Sequence, residues 1–154
     1  MFNQVGNYSL YISLIASIYL IFKSFKLSKR SSKNLDSKIF SVLSIQTAMV
    51  LISFFSLIYV FIISDFSNET VYNNSHTTKP LLYKISGSWG NHEGSLLLWL
   101  LVLTTFLFIF FVSSKKNMSR YRILTVLFQE LIIIGFLLFI LFTSNPFFSL
   151  FPIP

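Results

Sequence analysis

The chain of 154 residues is 54% hydrophobic and only 11% charged, whereas soluble domains carry roughly a quarter of charged residues. Its formal net charge of +7 does not indicate nucleic acid, because ten of the twelve Lys and Arg residues fall in two short connections between apolar runs, as topology determinants do. The lack of cysteine excludes a disulfide framework, a thiolate metal site and cysteine catalysis.

Four apolar runs, each long enough to cross a bilayer, predict an all-α integral membrane protein with a single membrane domain over residues 1–154. The predicted spans cover about residues 8–22, 39–63, 96–112 and 123–142. The N-terminus lacks the basic region and cleavage site of a signal peptide, so the first run is expected to be retained. Polar residues of the second run are expected to serve in helix contact rather than in a transport path; they are Ser41, Ser44, Gln46, Thr47, Ser53 and Ser56.

The positive-inside rule predicts which side each connection faces. The two basic connections follow the first and third spans and are expected on the cytoplasmic or matrix side, the first as a solvated loop or frayed helix end around residues 31–36. Both termini and the long polar loop, residues 64–95, then face the periplasm or intermembrane space. Within that loop, the apolar stretch at residues 80–85 indicates a segment lying against the membrane surface. Asn68 and Asn73 begin glycosylation sequons of a kind that arises often by chance.

The polar loop meets the third span in the sequence WGNHEGSLLLW, residues 89–99, which supplies the candidate site. Gly90 and Gly94 permit a tight turn there or the close approach of a ligand. Asn91 or Ser95 can cap the third helix. The candidate residues are Trp89, Gly90, His92, Glu93, Gly94, Ser95 and Trp99, of which the two tryptophans favour an interface on one side and a packed helix face on the other.

A metal site at His92 and Glu93 finds little support. The zinc-protease motif needs a second histidine four residues after the first, and that position holds Leu96. A bis-histidine haem site would have to use His76, the only other histidine, from 16 residues away in a loop. We therefore expect no metal site within this chain, and a single histidine at an interface is more often a hydrogen-bonding residue than a ligand.

One acidic residue, Glu130, falls inside the fourth span next to Gln129. An intramembrane carboxylate is a functional candidate by default. Protonation, or pairing with Gln129 or with a partner subunit, explains it equally well, so no role is assigned to it.

The run at residues 89–99 closely resembles the WG-x-HEGSLLLW signature of the CcmF family, the haem lyase component of cytochrome c maturation. The sequence GFLLFILFTSNPF at residues 135–147 resembles a second family motif. Shorter matches lie in the same order along the chain: Gly6-Asn7, Asp65-Phe66, Asn74-Ser75, Pro80 and Tyr83. The resemblance covers essentially the whole chain.

The resemblance implies a function in attaching haem to apocytochrome c. CcmF proteins are much longer, and their Trp-rich external segment and haem-ligand histidines lie beyond the equivalent of this chain. The implied cofactor is haem in the assembled complex, with residues 89–99 as a supporting loop near it. The implied partners are the remaining CcmF pieces, a haem chaperone, apocytochrome c with its thiol-handling factors, and the lipid bilayer. The chain is expected to be the noncatalytic N-terminal piece of a split protein, with an artificial truncation as the alternative.

Composition bears on location, because the abundance of Phe, Ile, Asn and Lys with only two Ala is typical of AT-rich coding. It favours the mitochondrial inner membrane, with a bacterial inner membrane as the alternative. A small structural subunit of a respiratory complex would fit the same composition and topology, but it gives no reason for the His-Glu pair. A transporter or channel fragment would need polar residues aligned through several spans, and only Glu130 suits that role.

Overall fold

Four long apolar helices and two short ones account for the secondary structure of residues 1–28, 36–114 and 119–152, the part of the chain that the computed structural model describes. In chain order they are α1 (Phe2–Ser28), α2 (Asp36–Ile62), α3 (Glu69–Asn74), α4 (Leu81–Gly87), α5 (His92–Ser113) and α6 (Ser119–Phe142). The helices α1, α2, α5 and α6 are long and apolar enough to cross a membrane. The predicted all-α membrane fold with four spans is confirmed.

The helices extend past the predicted spans. Helix α1 has 27 residues, about 40 Å at 1.5 Å per residue, which exceeds the roughly 30 Å of a bilayer's apolar core. Helix α5 begins at His92, so the last four residues of the predicted loop are helical, and α3 and α4 lie within the rest of that loop. The predicted solvated stretch at residues 31–35 and the lysines at 115 and 116 lie outside the described residues.

The long helices pack in a ring, in which α1 contacts α2 and α6, and α5 contacts the same two helices. The buried face of α1 is lined with small residues, notably Ser13, Ala16, Ser17 and Ser24. Small side chains allow helix backbones to approach closely, which is the main source of helix association in a membrane. The predicted contact role of the polar residues in α2 holds for Gln46, Thr47, Ser53 and Ser56, which are buried.

The start of α1, the long loop and the segment after α6 meet at one end of the bundle, which we call the loop end. There Asn3 of α1 donates to the carbonyl of Phe147 (3.0 Å) and to Ser149 Oγ (2.7 Å). Asn68, just before α3, donates to Asn3 Oδ1 (2.6 Å) and to the Pro146 carbonyl (2.8 Å). These three segments therefore share one end, while the compartment that this end faces stays a prediction.

The opposite end of the bundle is tied by an arginine of the second basic connection. Arg122 is 5% exposed. Its Nη2 donates to the carbonyl of Phe111 (2.8 Å), and its guanidinium lies 4.2 Å from the centroid of the Phe111 ring. A cation at the last turn of a helix is favourable, so Arg122 joins the end of α5 to the start of α6 as well as marking topology.

Candidate functional site

The first turn of α5 carries the His-Glu pair, and Asn91 fixes where that helix starts. Asn91 has extended backbone geometry, and its side-chain oxygen accepts the backbone N–H of Gly94 (2.7 Å). Its amide nitrogen donates back to the Gly87 carbonyl at the end of α4 (2.8 Å). The predicted cap is thus Asn91, whereas Ser95 donates to the carbonyl of His92 (2.9 Å) inside the first turn.

Gly94 is required by a close approach of the backbone. A Cβ added there would lie 1.7 Å from the carbonyl oxygen of Ser88, far inside any real contact. At Gly90 the nearest atom, the Ser86 carbonyl oxygen, would lie 3.2 Å away, which is tight but close to tolerable. The segment between α4 and α5 therefore folds back onto the helix start, and the glycine is needed for packing within the chain.

His92 is held by the segment that follows α6. Its Nδ1 lies 3.0 Å from Ser144 Oγ, and its ring meets the edge of Phe139 with centroids 6.3 Å apart. The side chain is exposed. Because Ser144 engages Nδ1, Nε2 is the ring nitrogen that remains for another partner. The two family-like sequences, residues 89–99 and 135–147, therefore meet at this histidine.

The two tryptophans of the candidate site have different environments. Trp89 is half-buried against the core and stacks on Phe54 of α2, with centroids 6.2 Å apart and an interplanar angle of 26°. Trp99 lies two turns into α5 and is 60% exposed on the outer face of the bundle. Trp89 is thus the packed residue and Trp99 the exposed one.

An open apolar groove lies between α5 and α6 and begins beside the histidine. Its volume is about 420 Å³, and its lining is Leu96, Leu131, Ile132, Gly135, Phe136 and Phe139. Leu96 is one turn beyond His92 on α5, and Phe139 contacts the His92 ring. We call this surface the α5–α6 groove.

These residues do not fit a resident haem by themselves. A ligand pocket encloses most of its ligand's surface, whereas the α5–α6 groove has walls on two helices only. In the described ranges no group of three or more His, Cys, Asp and Glu side chains converges. Glu93, half-buried in the first turn, places a carboxylate at the positive end of the helix dipole, where it stabilises the helix.

Glu130 is fully buried in the centre of the bundle. Its Oε2 accepts hydrogen bonds from Ser17 Oγ of α1 (2.6 Å) and from Gln46 Nε2 of α2 (3.0 Å). The sequence left open protonation, or pairing with Gln129 or a partner subunit; the hydrogen-bond partners in the structure lie instead on two neighbouring helices of the same chain. The carboxyl group therefore joins α1, α2 and α6.

Sequence reasoning missed the asparagines at the loop end. Asn68 is fully buried, caps α3 through Val71 N–H (3.0 Å) and holds Asn3, so it is unsuited to glycosylation. Gly6 lies under the ring of Phe147, where an added Cβ would come within 2.3 Å of ring carbons. Asn145 donates to Asn7 Oδ1 (3.2 Å). The signal was available, since Gly6-Asn7 and residues 145–147 belong to the family-like sequences.

Known proteins resemble the chain along its whole length. It is 37% identical over 153 residues to the cytochrome c-type biogenesis protein CcmF of Haemophilus influenzae, covering 99% of this chain and 24% of that protein. It is 36% identical over 156 residues to CycK of Rhizobium meliloti, covering 100% of this chain and 23% of that protein, which is likewise described as a cytochrome c-type biogenesis protein. The chain corresponds in sequence to a fragment of CcmF.

A solved structure of a cytochrome c haem lyase CcmF superposes on 96% of this chain and 25% of its own, with a TM-score of 0.88 and 20% sequence identity. It shows that the fold is shared with CcmF. The biogenesis protein ccl1 of Rhodobacter capsulatus is 50% identical over 107 residues, which are 68% of this chain and 16% of that protein. No family model matches the chain. The chain spans about a quarter or less of the length of these CcmF-type relatives.

Proposed function

We propose that this chain is the N-terminal part of a CcmF-type haem lyase and works in attaching haem to apocytochrome c during cytochrome c maturation. The observation that carries the proposal is the match of the whole chain to about a quarter of two CcmF-type relatives. The order of the family motifs along the chain supports the N-terminal assignment. The remaining three quarters or so of the family sequence would complete the assembly.

Within that assembly the chain itself would be noncatalytic. Haem attachment joins the vinyl groups of haem to thiols, and this chain has no cysteine, so the thiols belong to apocytochrome c. The site built on Trp89, Gly90, His92, Glu93, Gly94, Ser95 and Trp99 would support the haem-handling surface. Its residue best suited to contact haem or a partner is His92, because the side chain is exposed and Ser144 engages Nδ1, so that Nε2 remains for another partner.

The proposed partners are the remaining CcmF pieces, a haem chaperone and apocytochrome c with its thiol-handling factors. The four spanning helices place the chain in a lipid bilayer. The relatives named above are bacterial, while the AT-rich composition favours a mitochondrial inner membrane. Under the positive-inside rule the loop end faces the intermembrane space, or the periplasm in a bacterium, which is the side on which c-type cytochromes would receive haem.

His92 can be tested against a matched histidine. His92→Ala should lower covalent haem in c-type cytochromes, while His76→Ala, at the other exposed histidine, should not. Both variants should reach wild-type levels in the membrane, because neither side chain is buried. Haem staining of c-type cytochromes with immunoblotting of this chain provides the measurement. Normal haem attachment in His92→Ala would reduce residues 89–99 to a device for starting α5.

The alternative of a small structural subunit of a respiratory complex has no support from the relatives. Pull-down of the tagged chain distinguishes the two. Recovery of the polypeptides carrying the rest of the family sequence supports the haem lyase. Co-migration with a respiratory complex, together with normal c-type haem after deletion, supports the alternative.

A further inference from the structure

We infer that the α5–α6 groove is the surface on which a transmembrane helix from the rest of the CcmF assembly docks, with Gly135 at the point of closest approach. This inference rests on the proposed function, because the docking helix would come from the remainder of the CcmF assembly. The relatives carry about three quarters of their length outside the part that matches this chain. Some face of this bundle must therefore contact that remainder.

Gly135 is not crowded by any part of the chain that the structure describes. A Cβ added there would meet nothing within 4 Å, in contrast to Gly6 and Gly94, which other parts of the chain crowd. Glycine is among the least favourable residues for a helix interior. In membranes, a glycine on a helix face allows a second helix to approach closely. The glycine is therefore explained by a neighbour outside this chain.

The absence of a side chain at Gly135 leaves a notch in the surface of α6, and the residues around this notch give it a shape into which a helix can pack. Large apolar side chains are exposed on both sides of it along α6; they are Phe128 (64%), Leu131 (49%), Ile132 (50%), Leu138 (41%), Phe139 (45%) and Phe142 (78%). From Leu131 to Phe139 the groove runs about 12 Å along the helix, roughly two turns. A notch with raised apolar borders accepts the ridge of a crossing helix, whereas acyl chains pack on an even surface equally well.

The packing of the long helices points to the same side. The spans of α5 and α6 have the highest mean hydropathy, 2.6 each, yet only 28% and 33% of those spans is buried inside the bundle. For α1 and α2 the buried shares are 39% and 50%. The spans of α5 and α6 thus combine the highest mean hydropathy with the smallest buried shares of the four. A helix docked there would pass His92 at the loop end and place it at the seam between this chain and the remainder.

Site-directed crosslinking tests the inference in membranes where the chain is expressed together with the polypeptides that carry the rest of the family sequence. The chain lacks cysteine, so single-cysteine variants report one position each. Ile132→Cys and Gly135→Cys should crosslink to a hydrophobic segment of that polypeptide. Phe55→Cys on α2, where the native side chain is 62% exposed, should not.

Two substitutions that each add a large side chain provide a second test of the docking surface. Gly135→Leu fills the notch and should lower co-purification of the remainder about tenfold or more, since overpacking an interface is destabilising. Ala48→Leu adds the same kind of bulk at another exposed helix position and should leave co-purification unchanged. Neither purified variant should unfold at a lower temperature than wild type, because neither position is packed inside the chain and leucine favours a helix interior more than glycine does.

The outcomes separate the groove from the function. Two results would overturn the docking surface and leave the haem lyase proposal intact. One is a crosslink from Phe55→Cys without crosslinks from positions 132 and 135. The other is that these two positions form adducts with lipid alone while the remainder still co-purifies. Failure of the remainder to co-purify with the wild-type chain, with c-type haem normal in its absence, would overturn both. Crosslinks at 132 and 135 together with the loss in Gly135→Leu establish the surface.

Discussion

Replacing Glu130 should loosen three helices at once. Its Oε2 accepts from Ser17 of α1 at 2.6 Å and from Gln46 of α2 at 3.0 Å, and all three residues are at most 1% exposed. Glu130→Ala removes the one oxygen that accepts both hydrogen bonds and leaves a hydroxyl and an amide without this partner in the apolar bundle. Interhelical hydrogen bonds in membrane proteins are each worth about 0.6 kcal/mol on average and at most about 1.7. The expected loss is therefore about 1–3 kcal/mol of unfolding free energy.

Double-mutant cycles isolate these two bonds from the general cost of changing a buried carboxyl group. Glu130→Ala would be combined with Ser17→Ala and, separately, with Gln46→Ala. Unfolding by SDS in mixed micelles can be followed through the fluorescence of Trp89, which stacks on Phe54. Each pair should show a coupling of about 0.5–2 kcal/mol. Couplings near zero, or a Glu130→Ala chain as stable as wild type, would refute the view that this carboxyl joins the helices.

Three further substitutions test the packing. Gly94→Ala places a Cβ 1.7 Å from the Ser88 carbonyl oxygen and should destabilise the chain by about 2 kcal/mol or more. Gly90→Ala, whose Cβ would lie 3.2 Å from its nearest atom, should destabilise it clearly less. Equal thermal stabilities of the two variants would contradict this. Asn68→Ala removes a helix cap and two hydrogen bonds and should lower the free energy of unfolding by about 2–4 kcal/mol. Asn73→Ala changes an exposed neighbour and should lower it by less than about 0.5 kcal/mol. Faster proteolysis of the segment after α6 in Asn68→Ala than in Asn73→Ala is the measurement. Arg122→Ala should free the end of α5 and lower the thermal midpoint more than Arg120→Ala, which changes an exposed residue.

Much of the fold could be predicted because membranes impose a simple requirement. A span must satisfy its own backbone hydrogen bonds, so long apolar runs become helices. The contacts at the helix ends could not be predicted. The first span was expected from about residue 8, whereas α1 begins at Phe2 and includes Asn3 and Asn7. Other parts of the chain bind these two residues through Asn68, Phe147, Ser149 and Asn145.

The candidate site could be predicted in sequence but not in contacts. Local chemistry was enough to suggest that Asn91 caps α5. No local pattern shows that Ser144 engages His92 or that Trp89 stacks on Phe54, since those pairs join residues 52 and 35 positions apart. The partners of Glu130 were hidden for the same reason, because helix rotation decides which polar residues of α1 and α2 face α6.

The most direct test of the central claim is the amount of covalently bound haem in c-type cytochromes of cells that lack this chain. If the chain is part of a haem lyase, deletion should abolish or strongly lower haem staining of those cytochromes while their polypeptides are still made. Expression of the wild-type chain should restore it. Unchanged haem attachment in the deletion strain would contradict the account.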